Sequence, residues 1–428
     1  MNRTIQARLS AMMFLEFFVW GAWYTTVAVF MSANGLEDLT HWPFTVNPIA
    51  ALVAPFFVGL IADRYFATQR VLGALHLLGA VFMLAAPSVV GYPLVFILLL
   101  LAYNLCYMPT MSLANTLAFH NMTDQESQFP VIRVFGTVGW IAAGLLVSYV
   151  GVYFVGQGTQ PEATAFPLYL TAGVSALYGL YSFTLPHTPP PAKGEEVSIR
   201  SIVGIDALKK LGSPSFYVFL LSSFLISIPL AAYYNFTQVF LDNAGFQDVA
   251  AVQTIGQMSE VLFMLLMPLF FVRLGVKWML GVGMLAWVVR YALFAMGAPD
   301  VVTWMVIGGI ALHGICYDFF FVTGQIYVDK KASDEVRGQA QGLIVLITYG
   351  AGMLIGAQAA GGLFNYFLGD AGQLTLSQWY NFWWVPALFA GAVFVFFVLF
   401  FRDEVRVSEE SVASVMGAET EEEEEAAV

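Results

Sequence analysis

Residues 59–70 read Gly-Leu-Ile-Ala-Asp-Arg-Tyr-Phe-Ala-Thr-Gln-Arg, a charged stretch set between two long apolar runs. The runs extend over about 43–66 and 70–90, and each has roughly the 20 residues that a helix needs to cross a lipid bilayer. A short charged stretch between two such runs is typical of a tight turn at the membrane surface. It therefore predicts two membrane-spanning helices joined by a polar loop.

The same succession of apolar runs and polar turns continues through most of the chain. The sequence is 59% hydrophobic and 11% charged, whereas soluble domains carry about 25% charged residues, so a soluble protein is excluded. The runs are continuous rather than alternating, which excludes a β-barrel. We predict an all-α polytopic membrane protein with about twelve spans, near residues 8–32, 43–66, 70–90, 93–119, 131–155, 166–185, 213–241, 249–272, 276–297, 301–327, 338–367 and 377–401.

Basic residues outside the spans fix the predicted orientation. With twelve spans they all fall on one side, at Arg3, Arg8, Arg64, Arg70, Lys193, Arg200, Lys209, Lys210, Arg273, Lys277, Lys330, Lys331, Arg337, Arg402 and Arg406. The opposite loops carry acids only, such as Glu37, Asp38, Glu162, Asp242, Asp248, Asp300 and Asp370. Because cytoplasmic loops are enriched in Lys and Arg, both termini are predicted to be cytoplasmic.

A polar segment at the middle of the chain divides the spans into six plus six. Two six-helix halves with a site between them at mid-membrane are a common transporter plan. The sequence ends in an acidic, low-complexity stretch that is typical of a disordered tail. The predicted parts are an N-terminal half (1–187), a cytoplasmic linker (188–212), a C-terminal half (213–402) and an acidic cytoplasmic tail (403–428).

Ionisable residues inside the predicted spans are few. Each costs at least about 2.5–3.5 kcal/mol to insert, so such residues usually face a cavity or a partner. Several ionisable residues inside the spans therefore favour a protein that moves a small polar molecule across the membrane. They are Glu16, His76, Arg133, Glu260, Arg290, His313 and Asp318.

One candidate binding face lies on the fifth span. Arg133, Thr137 and Trp140 follow one another at i, i+4 and i+7 and so share a helix face. A cation, a hydroxyl and a ring suit a solute that has hydroxyl groups and a flat ring. The alternative is that Arg133 pairs with an acid or a helix end near the cytoplasmic surface.

The second candidate face lies on the eighth span, where Gln257 and Glu260 share one side. A carboxyl group in apolar surroundings can carry a proton at neutral pH, and the alternative is a fixed ion pair with Arg290. Asp318 and Glu16 are further candidates for proton coupling. His313 could titrate near neutrality or bond a carbonyl, Tyr317 could stack or donate a hydrogen bond, and Tyr234 is a weaker candidate for binding. His76 is isolated from the other candidates and is interpreted as a core histidine with satisfied hydrogen bonds.

Local motifs resemble those of known transporters. The turn with Gly59, Asp63 and Arg64 resembles the cytoplasmic motif of the major facilitator superfamily, although the usual glycine after the arginine is absent. Finer motifs resemble the bacterial nucleoside:proton symporter family and run through nearly all of residues 1–402. They are Trp20-Gly-Ala-Trp23-Tyr-Thr25-Thr26, Tyr107-Met-Pro109-Thr110, Phe129-Pro130-Val-Ile-Arg133-Val-Phe-Gly136-Thr137, Ser259-Glu260-Val-Leu-Phe263, Trp287-Val-Val-Arg290 and Tyr317-Asp318-Phe-Phe320.

The resemblance implies a major facilitator fold and a monomeric symporter that imports nucleosides with protons across the bacterial inner membrane. It implies substrate contacts for Arg133, Thr137, Gln257 and Glu260. It also makes the charged turns gating candidates, at Asp63, Arg64 and Arg273. His313 stands where the family is expected to have tyrosine, and Glu16 where it tends to have an amide.

Other functions are less consistent with the sequence. No phosphate-binding loop, His-Glu-x-x-His motif or metal-ligand cluster is present, so we expect no enzyme, no cofactor and no metal, and a transporter driven by a gradient. A related transporter of a sugar or another hydroxylated solute is the first alternative. A receptor or scaffold without transport is the second.

Overall fold

The computed structural model describes residues 2–57, 65–123, 125–190, 204–333 and 336–403, and the regular structure in these ranges is helical. The gating candidates Asp63 and Arg64, most of the predicted linker and nearly all of the acidic tail lie outside them. The longer helices are α1 (Arg3–Tyr24), α2 (Val27–Ala33), α3 (Trp42–Phe57), α4 (Thr68–Ala85), α5 (Pro93–Asn121), α6 (Gln125–Leu145), α7 (Gly151–Val155), α8 (Phe166–Ser182), α9 (Ile205–Leu211), α10 (Pro214–Asn243), α11 (Val249–Gly297), α12 (Thr303–Ala311), α13 (His313–Tyr317), α14 (Thr323–Lys331), α15 (Arg337–Val345), α16 (Met353–Leu368) and α17 (Leu376–Phe400).

Nine helical segments within the described ranges are long and apolar enough to cross a membrane. The difference from the predicted number has a local explanation. Helix α11 covers two predicted spans in 49 residues, and it turns at Gly275, where φ is 65°, a value that glycine adopts without a Cβ clash. Helix α8 has 17 residues, slightly short of a full span, and α3 is described over 16 residues up to Phe57, where that described range ends.

Three α-helical rods are continued by single π-helical turns, over Leu146–Val150, Asp318–Val322 and Leu346–Gly352. Such turns insert one residue into the helical ladder and are frequent at functional sites. Two of the three contribute directly to the polar interior described below, because one begins at Asp318 and another contains Tyr349. The fold therefore departs from regular α-helix close to its buried polar groups.

The helices pack as two groups along the sequence. Among the N-terminal helices (α1–α8), α1 packs on α6 and α8, and α4 packs on α5 and α8. Among the C-terminal helices (α10–α17), α11 packs on α17 and α13, and α10 packs on α16 and α17. The two groups meet where α6 contacts α11, α3 contacts α16 and α2 contacts α10.

Glycines permit a close helix crossing between α1 and α6. A Cβ on Gly139 would collide with the backbone of Phe14, and a Cβ on Gly136 would meet the ring of Phe17. Gly144, five residues further along α6, is covered in the same way by Thr254 of α11. Small residues on α6 thus permit its close approach to α1 and α11.

We expect Gly139→Ala to destabilise the protein by about 1–3 kcal/mol, because the added methyl group must push α1 away from α6. Thermal unfolding in detergent measures the change. Gly173→Ala is the matched control, since a Cβ at Gly173 in α8 meets nothing within 4 Å and alanine favours a helix. Equal melting temperatures for the two variants would contradict this account of the crossing.

Candidate substrate pocket

A cavity of about 130 Å³ lies between the N-terminal and C-terminal helices. All eight residues predicted to bind substrate line it, namely Arg133, Thr137, Trp140, Tyr234, Gln257, Glu260, His313 and Tyr317. Helical spacing explains this convergence, because α6 presents three of them on one face and α11 presents two. The cavity wall also includes five residues that the sequence did not single out for substrate binding, namely Phe17, Trp20, Tyr24, Leu230 and Tyr349.

The aromatic wall on α1 follows from simple periodicity. Phe17, Trp20 and Tyr24 recur at i, i+3 and i+7 and so share one face. The Trp20 and Trp140 rings stand edge to face, with centroids 5.2 Å apart. This periodicity was present in the sequence, but aromatic residues are so frequent in the spans that it did not distinguish these three. Together they give the cavity flat surfaces on which a planar ligand can stack.

Opposite charges face each other across this cavity. The Arg133 guanidinium carbon lies 4.1 Å from the centre of the Phe17 ring, and Arg133 is the cation that acts electrostatically on Glu260. Glu260 Oε2 lies 3.8 Å from His313 Nε2, and the Glu260 side chain is 18% exposed. Glu260 therefore sits between a cation of the N-terminal helices and an imidazole of the C-terminal helices, in reach of a ligand.

Arg290 does not form the alternative ion pair with Glu260. Its Nε donates to the Gly309 carbonyl over 3.0 Å, and its guanidinium carbon lies 4.0 Å from the centre of the Tyr233 ring. Tyr233 in turn stacks on His313, with centroids 5.3 Å apart. Arg290 therefore supports the pocket histidine through an aromatic ring instead of neutralising the pocket carboxylate.

Asp318 lies behind the wall of the cavity. Its neighbour Tyr317 lines the cavity, but Asp318 itself is completely buried. Neither carboxyl oxygen has a hydrogen-bond partner among the described residues. A buried carboxyl group without partners is costly as an anion, so the environment of Asp318 favours its neutral form.

Glu16 lies outside the cavity too, inside the N-terminal helices. Its side chain accepts hydrogen bonds from Thr110 and Tyr178 and lies beside His76. His76 is buried and hydrogen-bonded, as predicted for a core histidine, but it is not isolated, because α4 packs its imidazole against Glu16 of α1. Arg273, the one gating candidate within the described residues, is exposed beside the Gly275 turn.

Tyr349 is held in place from the opposite helix group. Its hydroxyl donates to Asn47 Oδ1 of α3 over 2.6 Å. Asn47 Nδ2 donates to Asn104 Oδ1 of α5 over 2.7 Å. A chain of hydrogen bonds thus fixes a C-terminal aromatic residue of the cavity to the N-terminal helices.

Several polar atoms at the cavity are left without hydrogen bonds by the described residues. They include the indole N–H of Trp20, the carbonyl oxygen of Gln257 and the Nδ1 atom of His313. Buried polar groups are nearly always paired, so these atoms are suited to a ligand that offers both donors and acceptors. Within the described residues no group of three His, Cys, Asp or Glu side chains could hold a metal ion.

A first hydrogen-bond cluster joins the two helix groups at the gap between α1 and α2. Gln238 of α10 accepts from the Ala28 N–H over 3.0 Å and donates to the Tyr24 carbonyl over 3.1 Å. Gln253 of α11 donates to the Thr25 carbonyl over 3.0 Å. These side chains satisfy backbone groups that the gap between α1 and α2 leaves free.

A second hydrogen-bond cluster joins α11 to the segment before α8. Glu162 Oε1 accepts from Ser148 Oγ over 2.5 Å and from the Ala250 N–H over 3.1 Å. Ser148 Oγ accepts from the Ala251 N–H over 2.9 Å. Asp248, the residue at the N-cap position of α11, makes no capping hydrogen bond with its side chain, so two residues of the N-terminal helices cap α11 in its place.

The chain as a whole matches known nucleoside transporters. A family model described as nucleoside H⁺ symporter matches residues 2–406. The chain belongs to the nucleoside H⁺ symporter family. The family assignment agrees with the motifs quoted above, and it makes the protein a transporter of the major facilitator type.

Individual transporters are similar to this chain over nearly their full lengths. The putative nucleoside transporter YegT of Escherichia coli K12 is 39% identical, with 96% of this chain and 98% of that protein covered. The xanthosine permease of the same organism is 30% identical, with 96% and 99% covered. A crystal structure of the nucleoside transporter NupG superposes with a TM-score of 0.80 at 28% identity, covering 93% of this chain and 99% of that one.

Proposed function

We propose that this protein is a proton-coupled symporter that imports nucleosides by alternating access. Its twelve spans would form two six-helix halves with cytoplasmic termini in a bacterial inner membrane, and it would work as a monomer without a cofactor. The observation that carries the substrate is the cavity, where aromatic rings, Arg133 and Gln257 surround one space. Rings suit a nucleobase, and the charged and amide groups suit ribose hydroxyls.

Glu260 and Asp318 are the proposed proton carriers of the cavity region. Glu260 is within reach of a ligand and of two nitrogen-bearing side chains, so its charge can respond to substrate. Asp318 adjoins the cavity residue Tyr317 and lacks partners among the described residues. Protonation of both carboxyl groups from the outside would let the substrate-loaded carrier reorient with less buried charge. Release of the protons and the substrate inside would then let the empty carrier return.

The substrate assignment is tested by competition in membrane vesicles. We expect uptake of radiolabelled uridine or adenosine to be inhibited by other nucleosides and to be indifferent to monosaccharides. A monosaccharide and a nucleoside both carry hydroxyl groups, but only the nucleoside has a flat base that can stack on the aromatic residues of the cavity. Uptake of a radiolabelled monosaccharide, with no uptake of any nucleoside, would overturn the assignment and favour a sugar transporter.

The two hydrogen-bond clusters between the helix groups lie on the side of the cavity that we assign to the outer surface. In alternating access they would hold the carrier closed to the outside and would open before substrate enters. We expect Glu162→Ala to remove the cap on α11, which costs about 0.5–2 kcal/mol. The outward-open population should then rise by up to about thirtyfold.

The readout is the labelling rate of Thr254→Cys with a membrane-impermeant thiol reagent, in a background without Cys106 and Cys316. Thr254 is buried against Gly144 of α6 in the closed arrangement. Asp300→Ala is the matched control, since Asp300 is an exposed acid that we assign to the same surface. Equal labelling in the Glu162→Ala and Asp300→Ala backgrounds would argue against Glu162 as part of an outer gate.

The same gate should respond to external pH. Burial raises the pKa of Glu162, against the opposing effect of its hydrogen bond from Ser148, and Asp248 is the acid that faces it. Water reaches Glu162 when the gate opens, so the closed form binds the proton more tightly. Acid outside should therefore favour the closed form, and this preference should fade as pH rises through the raised pKa. Labelling of Thr254→Cys should slow as pH falls, relative to the same protein carrying Glu162→Gln.

A further inference from the structure

A groove separate from the substrate cavity opens between the first turns of α1 and the start of α6. It has a volume of about 570 Å³, and none of the residues in its wall lines the cavity. Val131 and Phe135 form the wall on α6 and are 46% and 40% exposed. The wall on α1 is formed by Arg3, Gln6, Ala7, Ser10, Ala11 and Phe14. We call this feature the α1–α6 groove.

The length of the α1–α6 groove matches one leaflet of a bilayer. One face of α1 forms its wall, because the residues recur at i, i+3, i+7 and i+11, at Arg3, Gln6, Ser10 and Phe14. At a rise of 1.5 Å per residue, Arg3 and Phe14 lie about 16 Å apart along the helix axis. The hydrocarbon core of a bilayer is about 30 Å thick, so one leaflet contributes about 15 Å. The groove therefore has the depth of a single lipid layer.

The chemistry of the wall changes from polar to apolar along this length. A cation at Arg3 is followed by the amide of Gln6 and the hydroxyl of Ser10, and the ring of Phe14 ends the series. A phospholipid presents a phosphodiester, then ester carbonyl groups, then an acyl chain in the same order. The groove is therefore complementary to a phospholipid that lies along α1 with its phosphodiester at Arg3.

The polar groups of the wall are not satisfied by the protein. None of the ion pairs between described residues involves Arg3, and the first turn of α1 carries no acidic residue. Ser10 is only 6% exposed, and no hydrogen bond joins its hydroxyl to the described residues. Buried polar groups are nearly always paired, so the Ser10 hydroxyl points to a ligand with an acceptor or donor at this depth.

We propose that the α1–α6 groove binds one phospholipid molecule. Arg3 holds the phosphodiester, since basic residues at the cytoplasmic ends of spanning helices attract anionic headgroups. Gln6 and Ser10 face the ester groups, and one acyl chain lies between Phe14 of α1 and Phe135 of α6. The proposed orientation places Arg3 at the cytoplasmic surface, so the lipid belongs to the cytoplasmic leaflet. Only this choice of leaflet rests on the proposed function.

A second groove on the same molecule shows what is particular to the first. It lies between α11 and α17, has a volume of about 670 Å³, and includes Leu285, Ala392 and Phe396 in its wall. No charged side chain of the described residues lines it. This α11–α17 groove can contact an acyl chain but offers no cation to a phosphodiester, so it is a matched control for purely apolar contact.

The α1–α6 groove and the substrate cavity lie on opposite sides of α6. Val131 and Phe135 are each two residues from Arg133, so their side chains leave the helix on the side away from it. Phe14 also forms the crossing with Gly139. A bound lipid therefore packs on the helix pair that carries Arg133 and the aromatic wall. Because it binds the folded protein, it should raise the melting temperature.

Lipid binding is measured with the purified full-length protein in detergent by titration with phosphatidylglycerol and native mass spectrometry. We expect one phosphatidylglycerol molecule to bind more tightly than any others. Arg3→Gln should raise its Kd about fivefold and reduce the gain in melting temperature. Arg8→Gln is the matched control, because Arg8 is exposed on the same part of α1 but does not line the groove. Equal Kd values for the two variants would overturn the proposal.

Diacylglycerol with the same acyl chains tests the role of the phosphodiester. It should bind the unaltered protein more weakly than phosphatidylglycerol does, and Arg3→Gln should leave its Kd unchanged. Equal binding of the two lipids by the unaltered protein would contradict the assignment of Arg3 to the phosphodiester.

Filling each groove with a ring locates the acyl chain. We expect Ala11→Phe to weaken the tight site at least about tenfold, whereas Ala392→Phe in the α11–α17 groove should leave it unchanged. The opposite pattern would place the lipid between α11 and α17 and overturn the proposal. A dimer that replaces bound lipid and is lost in Ala11→Phe would make a second copy of the chain the occupant, which also overturns it. If Ala11→Phe does not fold, the comparison of Arg3→Gln with Arg8→Gln decides. None of these measurements depends on transport, so a failure of the proposed function leaves them interpretable.

Discussion

Replacing Glu260 with glutamine should abolish uphill accumulation of nucleoside. Glutamine keeps the shape and one oxygen of the side chain but carries neither a negative charge nor an exchangeable proton. The change would leave Arg133 and His313 facing a neutral group, and it would remove the proton that the proposed coupling exchanges. We therefore expect the initial rate of gradient-driven uptake to fall at least about a hundredfold.

The measurement is the initial rate of radiolabelled uridine uptake in proteoliposomes with an inward proton gradient. Asp300→Asn is the control, because it removes one carboxylate from an exposed position and should leave the rate unchanged. Exchange of internal for external nucleoside without a gradient shows whether Glu260→Gln still folds and binds. Full accumulation by Glu260→Gln would remove Glu260 from the coupling mechanism.

Arg133 should be the most sensitive position for substrate recognition. Its guanidinium group is planar and stacks on Phe17, and a lysine ammonium group cannot reproduce that plane or its paired donors. We expect Arg133→Lys to lower kcat/KM for uridine by about ten- to a hundredfold, which corresponds to about 1.4–2.8 kcal/mol. Arg133→Met should lose more, because it also leaves Glu260 without its opposing cation.

Uptake kinetics at several substrate concentrations distinguish these expectations. Lys209→Met removes an exposed positive charge of α9 and should have little effect. If Arg133 acts only as a structural residue, Arg133→Lys should retain nearly normal kcat/KM once corrected for the amount of folded protein. That result would move the binding site away from this face of α6.

The sequence alone predicted the residues of the main polar face of the cavity. It did not predict most of the residues that hold this face in place. Arg133 and Thr137 could be identified because one helix places i and i+4 on the same side, and Gln257 and Glu260 by the same rule. Tyr349 could not be distinguished, because aromatic residues occur throughout the spans. Its role depends on Asn47, which lies 302 residues away along the chain.

Contacts between distant helices explain the remaining differences. Nothing in the local sequence of His76 reveals Glu16, which is brought to it by the packing of α1 on α4 and α8. The cap of α11 is equally hidden, because Asp248 stands at the usual capping position and Glu162 performs that role from another helix group. In contrast, the glycines of α6 indicate from the sequence alone that this helix packs closely on another helix, since small residues permit close approach in any helix pair.

The central claim is that an inward proton gradient drives nucleoside accumulation by this protein. It is tested most directly by measuring radiolabelled uridine inside proteoliposomes that contain the purified protein, with the interior more alkaline than the medium. The account predicts accumulation above the external concentration and its collapse to equilibrium when a protonophore is added. Uptake that reaches only equilibrium with the gradient in place, and that is indifferent to the protonophore, would contradict proton coupling.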